Sequence, residues 1–317
     1  MKACLLILTS IILYIPCRSQ IKYIKAEVAE ELQNRIVLVE LFDENTEDER
    51  LRNQQIKEYF IPRLSVGKEV RFATRNEIGE ALDSGKEMYA LLTHELGTFE
   101  LMSVNRYRDF DGKRTTVADP NGIKYNRVIA SQKHYDLTLS IPGDETKTSE
   151  LVTQVCFAHY FLRPEDYVFA ALQFSRLYNA AVGKIAPREF YKPKQAMLEL
   201  EKKTLLLSPD FMDFDPSETK GYSFPTEQVN YADVRAAILS QKNGYAYPLL
   251  IWSEQHSAYD WVVVDCESGK IYSQVTHGGV NISEFGKNEP PLKMKKIHLK
   301  SFDSVMANTV NNRYLGK

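Results

Sequence analysis

The sequence predicts a mixed α/β (α+β) fold made of two related α/β units, each with a mixed sheet extended by antiparallel strands. Two observations carry that prediction. A capped, amphipathic helix running into an apolar strand occurs twice, in "TRNEIGEALDSGKEMYALL" from residue 74 and in "NYADVRAAILSQKNGYAYPLL" from residue 230. Each copy also follows a charged helical segment and a short apolar run, and each is followed by alternating segments broken at turn signals. The matches keep one constant spacing: Thr74 to Asn230, Lys86 to Lys242, and Tyr89-Ala90 to Tyr245-Ala246. Shared order and capping raise the repeat above a chance likeness.

The chain opens with Lys2, an apolar stretch from Ala3 to Ile15, and Cys17-Arg18-Ser19 before Gln20. This is the three-part pattern of a secretory signal peptide, assigned to residues 1–19 and expected to be cleaved. A lipid anchor on Cys17 is disfavoured by Pro16, because such processing wants a small residue before the cysteine. The mature chain has no second apolar stretch long enough for a transmembrane span, so the periplasm or extracellular space is the expected location.

The first unit, residues 20–145, begins with the helical segment "YIKAEVAEELQN" and the strand "RIVLVELF" at 35–42. That strand is short, apolar throughout and partly β-branched, as suits a central strand covered on both faces. Thr46 with Glu49 predicts a capping box, opening a helix to Phe60 with Leu51, Ile56, Tyr59 and Phe60 inward. Thr74 with Glu77 predicts the next, with Ile78, Ala81 and Leu82 on one face. A strand at 88–93 then leads into "TFELMSVNRY", "KRTTVA", "IKYNRVI" and "YDLTLSI", an antiparallel meander with turns at Asp111-Gly112 and Pro120-Asn121-Gly122.

Residues 146–196 are expected to form a helical connection, from "SELVTQVCFAHYFL" through the helix after Pro164 with Val168, Ala171, Leu172 and Ala181 at helical spacing. The second unit, residues 197–317, repeats the plan in "KTLLLSPDF", a loop at 212–228, the helix capped by Asn230, then "YPLLIW", "YDWVVVDC" and "GKIYSQV". The basic stretch "KMKKIHLK" at 293–300 alternates with apolar residues as an edge strand would. With a net charge of −2, the chain is not expected to bind nucleic acid.

No cofactor is predicted. There is no GxGxxG after the first strand and no GxxxxGK[ST], so the exposed amides of a phosphate loop are missing. No metal site is predicted either, since HExxH and CxxC are absent and Glu254, His256 and Asp260 share only a loop. Cys156 and Cys266 are the cysteines left after the signal, and export permits a disulfide between them. Cys156 and His159 would share a helix face in a nucleophile dyad, but their apolar neighbours favour packing.

Ligands of open parallel sheets gather at strand carboxyl ends, which here carry Asp43, Glu44, Thr93-His94-Glu95, Asp210 and Ser253-Glu254-Gln255-His256. Tyr245, Tyr247, Trp252, Tyr259 and Trp261 cluster in one hairpin with His256 at its tip; alternate rings should be exposed for stacking. The candidate binding residues are therefore Trp252, His256, Tyr259, Trp261, His94 and Glu95. The function expected is a noncatalytic exported protein binding a small ligand, glycan or peptide. A hydrolase using His256 with Glu254 or Asp260 is the enzymatic alternative. A structural or assembly protein acting on an envelope partner is the third.

Overall fold

A computed structural model describes residues 23–104, 106–108, 114–116, 126–143, 149–158, 162–190, 192–215, 219, 221–253, 258–276 and 293–303. Helix α1 (Ala26–Leu32) leads into strand β1 (Ile36–Leu41), and α2 (Glu47–Gln55) continues through a wider turn at Ile56–Phe60. Then come β2 (Glu69–Thr74), α3 (Arg75–Gly85), β3 (Tyr89–Val104), the small strands β4 (Arg106–Arg108) and β5 (Arg114–Thr116), β6 (Asn126–Ile141) and β7 (Glu150–Phe157). Helices α4 (Pro164–Val182), α5 (Pro187–Phe190) and α6 (Pro193–Leu200) precede β8 (Thr204–Leu207), β9 (Thr226–Gln228) and α7 (Tyr231–Leu239). The described chain closes with β10 (Tyr245–Ser253), β11 (Ala258–Asp265), β12 (Ile271–Thr276) and α8 (Lys296–Ser301).

The fold is mixed α/β around one large mixed sheet of ten strands, with β4 and β5 paired apart from it. In one part of the sheet β1 lies parallel to both β2 and β3, and β3, β6 and β7 continue antiparallel. In the other, β8 lies parallel to both β9 and β10, and β10, β11 and β12 continue antiparallel. The joint is β10, whose first residues pair with β8 and whose Ile251 pairs with Phe157 at the end of β7. Because β7 and β10 are antiparallel and meet near their last residues, the carboxyl end of β1 points toward those of β8 and β10, while β3 runs on past the junction beside β6.

The helix starts follow from the caps. The Thr74 hydroxyl accepts the Glu77 N–H while Glu77 accepts the Thr74 N–H at 2.7 Å, and the Asn230 side chain accepts the Asp233 N–H at 2.9 Å. Thr46 and Glu49 make the same reciprocal pair at α2. Strand β10 alternates by two between cores: Tyr247, Leu249 and Ile251 join α1, α4 and α7 on one face, while Ala246, Leu250 and Trp252 join α6 and α8 on the other. Within α4, Phe169, Ala170, Ala171 and Phe174 are wholly buried, so this helix is the spine of the first core. Ile78 of α3 covers Leu38 and Ala73 in a third, smaller cluster.

Four expectations are corrected. Residues 150–157 form a strand paired with β6 rather than the start of a helix. Both faces of β7 are covered, so its apolar residues do not alternate and Val152, Val155 and Cys156 fall at helical spacing by coincidence. Residues 296–301 form a helix rather than an edge strand: the His298 ring accepts the Lys295 N–H at 3.1 Å, and Leu299 and Phe302 are buried. The expected antiparallel strands are present but merged: β3 and β6 each span 16 residues and pair along their length, β4 and β5 pair antiparallel between them, and the two expected turns lie outside the described residues. Leu51, expected inward, is half exposed, whereas Ile56 and Phe60 are buried.

Candidate functional site

Two groups of side chains gather at the facing carboxyl ends, bridged by the first turn of α4. At the end of β1, buried Asn53 of α2 pins the loop backbone. Its side chain accepts the Phe42 N–H and donates to the Phe42 carbonyl and to Glu44, each at 2.9 Å. Phe42 is thereby held flat against His94 of β3, with ring centroids 4.0 Å apart, and the Arg52 guanidinium lies 5.3 Å from the Phe42 centroid. Burial lowers the pKa of His94 to about 4, so the ring is neutral near pH 7, and its Nε2 is buried without a hydrogen-bonding partner. Burial also raises the Glu40 carboxyl, against the opposing pull of Arg75.

The second group centres on Glu165, buried in the first turn of α4. Tyr231, the first residue of α7, donates its hydroxyl to Glu165, Arg235 donates to the other carboxylate oxygen at 3.0 Å, and Arg163 lies at 3.3 Å. Both arginines also pack on the Tyr231 ring, at 5.4 and 5.1 Å. Burial raises the Tyr231 phenol. Burial opposes the charge on Arg163, but the carboxylates of Asp166 and Glu165 and its neighbour Tyr231 hold it above its usual value. Beside this network lies a cavity of about 160 Å³. Phe211, Val234, Ile238, Leu249, Leu250 and Trp261 form apolar walls, and Arg163, Glu165, Tyr231 and Asp210 supply polar edges. Asp210 is exposed and bonded to the Ser208 hydroxyl at 3.2 Å, while Glu165 is already engaged.

The expected aromatic platform is corrected. Trp252, Tyr259 and Trp261 are 0%, 3% and 3% exposed, packed in the core under α6 and α8. Half of a strand's residues face solvent only where one face is open, and here both are covered. Glu254 and His256 lie outside the described residues, as do Cys17, His159 and residues 1–19. Asp260 is fully buried and accepts from Gln274 at 2.5 Å. His94 is half-buried while Glu95, next along the strand, is exposed. Cys156 and Cys266 are not disulfide-bonded; they belong to separate cores, which corrects the expected bridge. Burial pushes the Cys266 thiol up to about 12, leaving it unreactive near neutrality. Among the described residues, no three His, Cys, Asp or Glu side chains converge as metal ligands would.

Of the cavity's lining residues, Asp210 and Trp261 were legible from strand position and aromatic clustering. Glu165, Tyr231 and Arg163 were not, because the Glu165–Tyr231 pairing that gathers them spans 66 residues of sequence and no local pattern announces it. No protein-family model, curated protein or solved structure matches the chain.

Proposed function

We propose that this is an exported, noncatalytic binding protein that takes a small ligand or a peptide side chain in the cavity beside Tyr231, on a scaffold of two related α/β units. The cavity carries the reading. At about 160 Å³ it has the volume of a site for one ring or branched aliphatic group, near the roughly 150 Å³ that holds a benzene in a protein core. Its apolar walls supply the favourable transfer, and exposed Asp210 offers a carboxylate to an amine at the mouth. The other ionised groups there are tied to one another, an arrangement that orients a ligand better than it moves a proton.

What supports the two-unit scaffold is the agreement between sequence spacing and strand pairing. Ile36 faces Tyr89 across one parallel pair, and Thr204 faces Tyr245 across the other, so the aligned tyrosines hold the same register. Their capped helices precede those strands in both parts. The second unit is turned over in the sheet: α1 and α7 share the first core, and α6 falls in the second. Export is supported by the leader alone.

A thermal-shift screen of amines, amino acids and short peptides tests the binding proposal, repeated with Val234→Phe, which fills the cavity with apolar volume. A compact apolar amine should raise the Tm of the parent chain and leave the variant unshifted. A shift that survives in Val234→Phe, or turnover of any member of the panel, overturns it.

A further inference from the structure

Strand β10 has a gap along one edge. On its other edge it pairs with β11 without a break, from Ala246 opposite Asp265 to Ser253 opposite Ala258. The Tyr245 C=O accepts the Cys266 N–H in that register, so the odd-numbered residues of β10 turn their backbone groups to β11 and the even-numbered ones turn theirs away. On the away side, β8 pairs only as far as Ala246, and β7 arrives only at Ile251. Among the described residues, no strand lies beside 247–250 on that edge.

A proline ends the ladder. Pro248 has no N–H to give to β8, which itself turns off after Ser208 into the short helical turn Pro209–Phe211. The next parallel rung would carry the Ser208 N–H to the Pro248 C=O and the Leu250 N–H to the Ser208 C=O, and neither bond is made. Pro248 and Leu250 instead line the cavity beside Tyr231. Its walls come from both faces of the sheet, Tyr247 and Leu249 from the first core and Leu250 and Trp261 from the second, so the cavity lies where the missing strand would run. Leu250 is 4% exposed, a depth at which an N–H without a partner is costly.

The open rung selects the ligand. A residue of a parallel partner strand gives its N–H to one carbonyl and takes, on its own C=O, the N–H two residues further along. The Pro248 C=O and the Leu250 N–H are such a pair. We propose that the ligand of this cavity is a peptide in extended conformation, running parallel to β10, one residue of which donates to Pro248 and accepts from Leu250. That residue stands opposite Leu249, so its side chain falls on the Leu249 face, where Val234 and Ile238 of α7 bury a branched aliphatic group. The open stretch spans about 13 Å, which admits one residue and the amide group on each side of it. The assignment rests on the cavity being a ligand site, and it adds a backbone requirement that a bare amine does not meet.

The test is an NMR titration of the full chain, isotope-labelled at leucine nitrogen, with acetyl-valine methylamide, with the ester analogue in which oxygen replaces the valine N–H, and with isobutylamine. Loss of one signal in Leu250→Met identifies the Leu250 amide. Acetyl-valine methylamide should move that amide proton downfield, and the ester should bind at least tenfold more weakly. Equal binding of amide and ester, or a Leu250 proton that stays in place while the amide binds, overturns the peptide assignment. Silence from acetyl-valine methylamide overturns it as well. If isobutylamine then still raises the Tm of the parent chain and not of Val234→Phe, the cavity remains a ligand site and the peptide assignment alone falls; if the amine is silent too, both fall.

Discussion

His94 shows how one side chain joins packing to pH dependence. Its burial, helped by the nearby charges of Arg52 and Arg75, favours the neutral ring, so its pKa falls from 6.5 to about 4 on folding. Between those values the unfolded chain binds more protons than the folded one. Its contribution to stability is therefore full above pH 6.5 and is lost as pH falls toward 4. The linkage amounts to at most ~3 kcal/mol. Urea midpoints at pH 7 and pH 5 should drop less for His94→Phe than for the parent chain, and an equal drop contradicts the assignment. The cysteines permit a second check at this scale. In the chain without residues 1–19, Cys156 and Cys266 should react with a thiol reagent only after denaturation, giving two thiols without reductant; a reading of none restores the disulfide.

Among the elements, the caps were the most legible features. Thr46, Thr74 and Asn230 all open helices where their spacing to an acidic residue says they should, because a cap is a local interaction read within four residues. Asn230→Ala should cost ~1 kcal/mol of unfolding free energy by urea titration, and no loss would mean that α7 is held by packing alone. The β7 and 293–300 segments were misread for a reason of context. A strand covered on both faces loses its alternation, and a short basic helix with two buried residues imitates one face of a strand. Trp252, Tyr259 and Trp261 failed as a platform on the same ground: alternation tells which residues share a face, and only the neighbouring layer, here α6 and α8, decides whether that face is open.

At the scale of the whole molecule, the sheet brings the carboxyl ends of two parallel strand sets toward each other, a junction that follows from the single pairing of Ile251 with Phe157. That pairing joins distant segments and left no mark in either one, so the sequence could nominate strand ends but not their convergence. The proposed export rests on the apolar opening of the sequence, and mass spectrometry of material recovered outside the cytoplasm should give a chain beginning near Gln20; an intact Met1 contradicts it. Among the described residues no helix is long and apolar enough to cross a membrane. The central claim is the cavity beside Tyr231, and a crystal structure of the chain soaked with the strongest amine from the screen tests it most directly. The account predicts ligand density against Val234, Ile238 and Leu250 with its nitrogen toward Asp210, whereas an empty cavity with ligand bound elsewhere would contradict it.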